Sequence, residues 1–247
     1  MSEKKETIRT LFISDIHMGL SFAQPTKLYQ ILDYYKVKNI YFIGDSINSS
    51  KLENKQQELL NTLLTKTDKT TKLYFLQGNH DKELHYNGSF SKEIIYTTLK
   101  QKKYILLHGD LFDETQPEKS IFLKILGESV YFVALHLNNF IFFLYKYCPF
   151  FKPFLMTKVI KDHSSLITKH IQQFKKFLTS YAKEKKLNGV ICGHIHYPED
   201  EIIDNIHYLN CGDWIENFSF VIEDFKGDLK LLNYYDLYPL TSKNKLC

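Results

Sequence analysis

Leu11-Phe12-Ile13-Ser14-Asp15-Ile16-His17 is the stretch that decides the reading of this chain: an apolar run rich in β-formers ends on a carboxylate and an imidazole two residues apart. The same arrangement returns four times. Ile40-Tyr41-Phe42-Ile43 leads into Gly44-Asp45, and Leu73-Tyr74-Phe75-Leu76 leads into Gly78-Asn79-His80-Asp81. Tyr104-Ile105-Leu106-Leu107 leads into His108-Gly109-Asp110, and Gly189-Val190-Ile191-Cys192 into Gly193-His194-Ile195-His196. Short apolar runs of this kind read as buried strands. Loops leaving one edge of a sheet bring residues distant in sequence into one crevice, and a glycine at the exit permits a tight turn and a close backbone approach.

The residue types define the chemistry of that crevice. Asp15, His17, Asp45, Asn79, His108, His194 and His196 offer two carboxylates, one amide oxygen and four imidazoles, a donor set for two divalent cations with Asp45 shared between them. No thiolate is included, which argues against a structural zinc site and suits Mn, Fe or Zn. Two such ions about 3.5–4 Å apart clamp a phosphoryl group and acidify a water between them, so the implied reaction is hydrolysis of a P–O bond. Each motif alone has an ordinary explanation. Asp after a strand is a common turn residue or helix N-cap, and a single strand-end His is usually a hydrogen-bonded structural group. Five in this order, each behind a strand, outweigh those explanations. His194 and His196 would point to opposite faces of an extended segment unless the loop turns.

In order and flanking context the five segments resemble the calcineurin-like metallophosphoesterases, whose pattern is D-x-H, G-D, G-N-H-D/E, H and G-H-x-H. Carried over residue by residue, the resemblance implies that Asp15, His17, Asp45 and His196 hold one ion while Asp45, Asn79, His108 and His194 hold the other. It implies that His80 is the acid or charge stabiliser beside the leaving group, with Asp81 orienting its imidazole. The plainer reading of His80 is a supporting hydrogen-bond partner with no proton to transfer. A narrower similarity runs through Phe12-Ile13-Ser14-Asp15-Ile16-His17-Met18-Gly19, His108-Gly109-Asp110-Leu111-Phe112-Asp113, the insertion after it, and Tyr208-Leu209-Asn210-Cys211-Gly212-Asp213-Trp214-Ile215-Glu216. These look like the UDP-2,3-diacylglucosamine hydrolase branch, whose members cleave the pyrophosphate of a nucleotide-activated diacyl sugar in lipid A synthesis, releasing UMP and a lipid monophosphate. The best-known members carry Arg where this chain has His80.

Composition fits one large α/β domain over residues 1–247. The motifs run from 15 to 196, so a boundary in the middle would split the crevice, and 44% hydrophobic content supplies a substantial core. A net charge of +4 is too mild to imply a nucleic-acid partner. Cys148, Cys192, Cys211 and Cys247 have no C-x-x-C spacing, which reads as a reducing compartment. The charged start Met1-Ser2-Glu3-Lys4-Lys5-Glu6 has no signal-peptide pattern. The expectation is a cytosolic protein that can rest on the inner face of the cytoplasmic membrane.

Helices are expected over Pro25 to Tyr35 and Glu53 to Leu64, paired strands over Glu93 to Leu99 and Lys103 to His108, and late strands over Ile206 to Asn210, Phe218 to Glu223 and Leu229 to Tyr235, with a turn at Gly227-Asp228. Crossovers early and hairpins late predict two packed mixed β-sheets flanked by helices. The segment from about 115 to 186 breaks the alternation as a helical insertion. Its apolar runs, such as Phe140-Ile141-Phe142-Phe143-Leu144-Tyr145, are cut by charges too often to span a membrane. By periodicity it is a subdomain packing an apolar face on the sheet or a second subunit; the resemblance makes it a lid that receives acyl chains. Ile167, Ile171, Phe174, Leu178 and Tyr181 share one stripe of a helix over Ser164 to Ala182. Lys158 and Lys161 fall where relatives carry basic residues facing the diphosphate or phosphosugar, and a solvated face is the alternative. Trp214 reads as a sheet-edge anchor, and Asp213 as an acceptor available to a metal-ligating His. Two other functions stay open: a phosphodiesterase or phosphatase on soluble substrates, and a non-catalytic scaffold of the same fold.

Overall fold

A computed structural model of the chain describes residues 6–20, 23–47, 58, 61–62, 65–67, 69–81, 91–114 and 165–239. Sheet one has the order β10-β9-β1-β2-β3, with β1 (Glu6–Ile13), β2 (Tyr35–Ile43) and β3 (Lys72–Leu76) parallel, and β9 (Ser219–Glu223) and β10 (Leu229–Asn233) antiparallel at one side. Sheet two has the order β4-β5-β6-β8-β7. There β5 (Lys103–Leu107), β6 (Gly189–Cys192) and β8 (Ile206–Asn210) are parallel, and β4 (Glu93–Thr97) and β7 (Glu199–Ile203) form antiparallel edges. The expected α/β architecture of two mixed sheets with flanking helices is therefore the one observed.

Register sets the packing. Phe12 pairs with Tyr41 and Tyr41 with Tyr74, so their rings stack at 5.5 and 4.4 Å on one face, while Phe42 and Phe75 stack at 4.7 Å. Phe12 and Tyr41 also meet Tyr96 of sheet two edge-on, at 5.0 and 5.4 Å. Ile43, Leu76, Tyr104, Leu106, Ile191, Leu209, Cys211 and Val221 complete this buried cluster. The parallel strands of both sheets end where the five motifs begin, which is why the motif residues gather at one edge.

α1 (Pro25–Tyr34) starts with Pro in its first turn, buries Leu28, Ile31 and Leu32, and runs directly into β2. The helix expected over Glu53 to Leu64 falls mostly outside the described residues; 58, 61 and 62 are helical. The strand expected to reach Tyr235 stops at Asn233. Asn233 Oδ1 accepts the Tyr235 amide at 2.8 Å and Asp236 Oδ2 the Asn233 amide at 2.7 Å, which turns the chain into a short helix, Tyr234–Leu237. β7 carries no strand signal in the sequence, because Glu199-Asp200-Glu201 is a charged, largely exposed edge sequence without alternation.

Contacts divide the chain into two compact units, Met1–Asp110 with Lys176–Leu237, and Leu111–Lys175 with Tyr238–Cys247. In the second, Phe112 lies edge-on to Phe174 at 5.6 Å. A helix runs over Ser165–Glu184, and Ile171, Phe174 and Leu178 are buried as expected. Tyr181 is instead partly exposed, its hydroxyl donating to Glu93 at 2.7 Å. The Ile167 side chain and the rest of the expected insertion, 115–164, lie outside the described residues. Among those described, no helix is long and apolar enough to cross a membrane.

Candidate metal centre

Five of the seven candidate ligands adopt the left-handed backbone conformation: Asp15 (φ 52°), His17 (φ 48°), Asp45 (φ 50°), His194 (φ 71°) and His196 (φ 50°). Asp and His tolerate this region better than most residues, yet each such residue still costs roughly 1–3 kcal/mol and persists where its surroundings over-determine it. The turns answer the geometric difficulty in the sequence. At His194 the Ile195 amide donates back to the Gly193 carbonyl at 2.9 Å, a three-residue turn that breaks the extended alternation between His194 and His196. Backbone bonds between motifs hold the rest: the Asp15 amide donates to the Gly44 carbonyl at 3.2 Å, His17 to Asp45 at 2.9 Å and Gly193 to His108 at 3.1 Å.

Two groups of side chains in this crevice could hold a metal ion: Asp15, His17 and His196, and Asp15, Asp45 and His108. His196 Nε2 lies 3.2 Å from Asp15 Oδ1 and 3.1 Å from His17 Nε2. His108 Nδ1 bonds the Ile43 carbonyl at 2.9 Å, which leaves Nε2 facing Asp45 Oδ2 at 3.3 Å. Asp45 Oδ2 is also 3.9 Å from Nε2 of both His17 and His80. Among the described residues, the buried polar atoms without a hydrogen-bond partner include Asp15 Oδ1, His17 Nδ1, Asn79 Oδ1 and His108 Nε2; of these, Asp15 Oδ1 faces His196 and His108 Nε2 faces Asp45. Unsatisfied buried donors and acceptors are costly, and the carboxylate, amide and imidazole atoms among them suit a divalent cation.

The charges reinforce this. Burial alone would raise the Asp15 carboxyl, but His196 and His108 beside it hold it well below the usual carboxylate range. Burial is likewise overridden at Asp45 by His108, and the carboxyl is lowered. Burial would depress the His108 imidazole, yet Asp45 and Asp15 push it up to about 10. Carboxylates and imidazoles in the crevice therefore hold one another charged, an arrangement in which a cation can take the place of the imidazole protons.

Two glycines make the convergence possible. A Cβ at Gly78 would collide with Oδ1 and the backbone nitrogen of Asp45, and a Cβ at Gly193 with Ser14 Oγ and Asp15 Oδ2. Gly78→Ala should therefore cost roughly 1–3 kcal/mol, the range for forced overpacking, in a urea melt of metal-free protein. A loss under about 0.5 kcal/mol, the size of an ordinary surface substitution, would contradict that packing.

The sequence profile described as Calcineurin-like phosphoesterase matches residues 8–198. The chain belongs to this family. This calcineurin-like phosphoesterase is similar, at 26% identity over 256 residues, to a UDP-2,3-diacylglucosamine hydrolase from Wigglesworthia glossinidia brevipalpis, with 93% of the chain and 95% of that relative covered. Among solved structures it is similar to a single mutant of Vps29 from Entamoeba histolytica, at 14% identity and a TM-score of 0.48, covering 90% of this chain and 96% of that one. A novel archaeal phosphodiesterase is matched at 14% identity and a TM-score of 0.47, covering 90% and 98%. Family membership makes the protein a metal-dependent phosphoester hydrolase.

Of the residues singled out in the sequence, Asp15, His17, Asp45, His108 and His196 meet in the two groups, which share Asp15 while Asp45 faces both. His194 sits with its ring edge-on to His108 at 5.1 Å and its amide on Asp15 Oδ2 at 2.9 Å. His80 is exposed, its ring edge-on to His17 at 5.4 Å and its amide on Asp45 Oδ1 at 2.9 Å. Asp81 has a different job from orienting the His80 ring. Its carboxylate accepts the backbone amides of Ser46, Ile47 and Gly78 at 3.1, 3.4 and 3.1 Å, tying the Asp45 loop to the Asn79 loop. Burial first, then the charge of Asp45, pushes this carboxyl up to about 6. Lys158 and Lys161 lie outside the described residues. Sequence reading missed Ser14, whose Oγ is 2.5 Å from Asp15 Oδ2, and Asn217, whose amide nitrogen donates to the His196 carbonyl at 3.2 Å. A Ser before the first Asp was the only visible signal for either.

Proposed function

We propose that this phosphoesterase hydrolyses the pyrophosphate of a UDP-2,3-diacylglucosamine-like lipid nucleotide, releasing UMP and a lipid monophosphate, as in lipid A synthesis. The observation that carries the reading is the similarity to the Wigglesworthia hydrolase over nearly the whole of both chains. Asp15, His17, Asp45 and His196 would hold one divalent ion, and Asp45, Asn79, His108 and His194 the other, with Mn2+ favoured and Fe or Zn as alternatives. Bound there, the pair supplies Lewis-acid polarisation of a phosphoryl oxygen and an acidified water. Asp45 fixes the His80 backbone through its Oδ1, and the His80 imidazole, 41% exposed with its Nε2 3.9 Å from Asp45 Oδ2, would give a proton to the leaving oxygen. Lys158 and Lys161 are assigned to the diphosphate or phosphosugar, and the aromatic run Phe140 to Tyr145 to the acyl chains at a peripheral membrane contact.

The test is an assay of Mn-loaded protein on UDP-2,3-diacylglucosamine beside bis-p-nitrophenyl phosphate, with products identified by mass spectrometry. Formation of UMP and lipid monophosphate supports the reading; hydrolysis of the soluble diester alone assigns the protein to soluble substrates. Phe142→Ala with Phe143→Ala should lower turnover of the lipid substrate several-fold more than that of the soluble diester. Equal losses would remove the acyl-binding lid.

Metal loading should also depend on pH. With burial overridden by Asp45 and Asp15, which push the His108 imidazole up to about 10, an ion binding at Nε2 competes with a proton. Apparent Mn2+ affinity should therefore rise with pH, by about tenfold per unit for one proton released. Calorimetric titration in two buffers of different ionisation enthalpy measures that proton, and an enthalpy independent of buffer would contradict it.

A further inference from the structure

The connection between β8 and β9, residues 211–218, lies beyond the family match, which ends at residue 198, yet it holds two motifs of the crevice at once. The Trp214 amide donates to the Asp15 carbonyl at 3.0 Å, and the Asn217 side-chain amide donates to the His196 carbonyl at 3.2 Å. Asp15 and His196 are both left-handed, so these bonds fall on the two turned peptides that aim the side chains. The ring of His196 is addressed as well: its Nε2 faces Asp15 and His17, while Asp213 Oδ2 stands 3.8 Å from its Nδ1.

Asp213 is fully buried, and its two oxygens divide their work. Oδ1 accepts the Ile215 and Glu216 amides at 2.8 and 2.6 Å, which shapes the turn. Oδ2 accepts from the Asn217 side chain and points at His196. The connection is itself anchored: Trp214 is buried against Phe220 at 6.1 Å, and its carbonyl accepts the Gln24 amide at 3.1 Å. A turn cap alone needs only Oδ1; Oδ2 accepts the Asn217 side chain and stands beside the imidazole.

We infer that Asp213 and Asn217 are positioning residues that set Asp15 and His196 as one metal-holding group, with Asp213 selecting the His196 tautomer in which Nε2 carries no proton. The inference rests on the metal-centre reading above. A carboxylate facing the outer nitrogen of a ligating imidazole fixes both tautomer and ring orientation.

Asp213→Asn separates the two jobs. The Ile215 and Glu216 amides still require an acceptor, so the side-chain oxygen stays in the Oδ1 position and the NH2 group takes the place of Oδ2. That group cannot accept from Asn217 and, placed against Nδ1, favours the tautomer with the proton on Nε2. Mn2+ binding is measured by native mass spectrometry and titration. Wild type should hold two ions; the variant should hold one at wild-type affinity and the other about 10–100-fold more weakly, with a thermal midpoint for the metal-free protein close to wild type. Adding His108→Ala should remove the remaining ion. Should Asp213→Asn not fold, Asn217→Ala, at a partly exposed position with the Asp213 cap intact, should weaken the same ion by roughly tenfold, the low end of the loss on removing a supporting partner. Two ions at unchanged affinity in both variants, or equal weakening of both ions, would overturn the inference while leaving the metal centre standing. Wild-type protein with no stoichiometric metal would overturn both.

Discussion

Asp45→Asn should lower phosphoester hydrolysis at saturating Mn2+ by at least about 100-fold, the upper loss found when merely a supporting residue of a metal site is removed, and should leave the fold in place. Asn matches Asp in volume, and its oxygen can still accept the His80 amide that Asp45 Oδ1 accepts at 2.9 Å. What disappears is the negative charge that faces His108 Nε2 at 3.3 Å and the Nε2 atoms of His17 and His80 at 3.9 Å. The lesion is therefore electrostatic, at a buried position where charge is little screened. Circular dichroism and a thermal melt check the fold, and metal analysis should show fewer than two bound ions. His80→Ala is the contrasting variant: turnover should fall by roughly 10²-fold or more, as for loss of a general acid, with metal content unchanged. Wild-type turnover in Asp45→Asn at every Mn2+ concentration would remove the assigned role.

The strands and the list of motif residues were legible because both are local. Leu11-Phe12-Ile13 and Val190-Ile191-Cys192 announce buried parallel strands by composition, and the topology then places the residues after them at one edge. The backbone that aims those residues was not legible. Nothing in Asp15-Ile16-His17 signals positive φ, because that conformation is imposed from outside, by bonds to Gly44, Asp45 and Trp214; His194-Ile195-His196 calls for a turn, but the sequence does not give its kind or the Asn217 bond to His196. The partners of Asp81 are hidden for a related reason. Adjacency to His80 suggests a side-chain pair, whereas the buried carboxylate takes three backbone amides as partners. Polar residues inside the core were the hardest case: Thr10 and Glu223 look like solvent-facing positions of their strands, and their partners lie more than eighty residues away.

That polar cluster yields the second large expected effect. Glu223→Ala should cost about 3–5 kcal/mol, the penalty for breaking a buried pair from one side, or roughly 6–20 °C in Tm for a chain of this size. Glu223 is fully buried and spends both oxygens: Oε2 takes the Arg9 guanidinium at 2.7 Å and the Tyr96 hydroxyl, and Oε1 the Leu99 amide at 2.7 Å. Thr10 Oγ1 lies 2.7 Å from the same Tyr96 hydroxyl, and Arg9 also donates to the Thr97 carbonyl at 3.3 Å. Burial, together with the bond to Glu223, pushes the Tyr96 phenol up, so it stays a donor. Arg9, Thr10 and Glu223 belong to sheet one, and Tyr96, Thr97 and Leu99 to the β4–β5 hairpin of sheet two. The cluster thus ties the sheets together, and the metal crevice needs both of them: Asp15, His17, Asp45 and Asn79 follow strands of sheet one, while His108, His194 and His196 follow strands of sheet two. Tyr96→Phe, which removes one hydroxyl and keeps the ring contacts with Phe12 and Tyr41, should cost only about 1–3 kcal/mol. Urea melts of the two variants decide the matter. A Glu223→Ala loss no larger than that of Tyr96→Phe would mean that the charge pair with Arg9 contributes nothing, and that apolar packing alone holds the sheets in register.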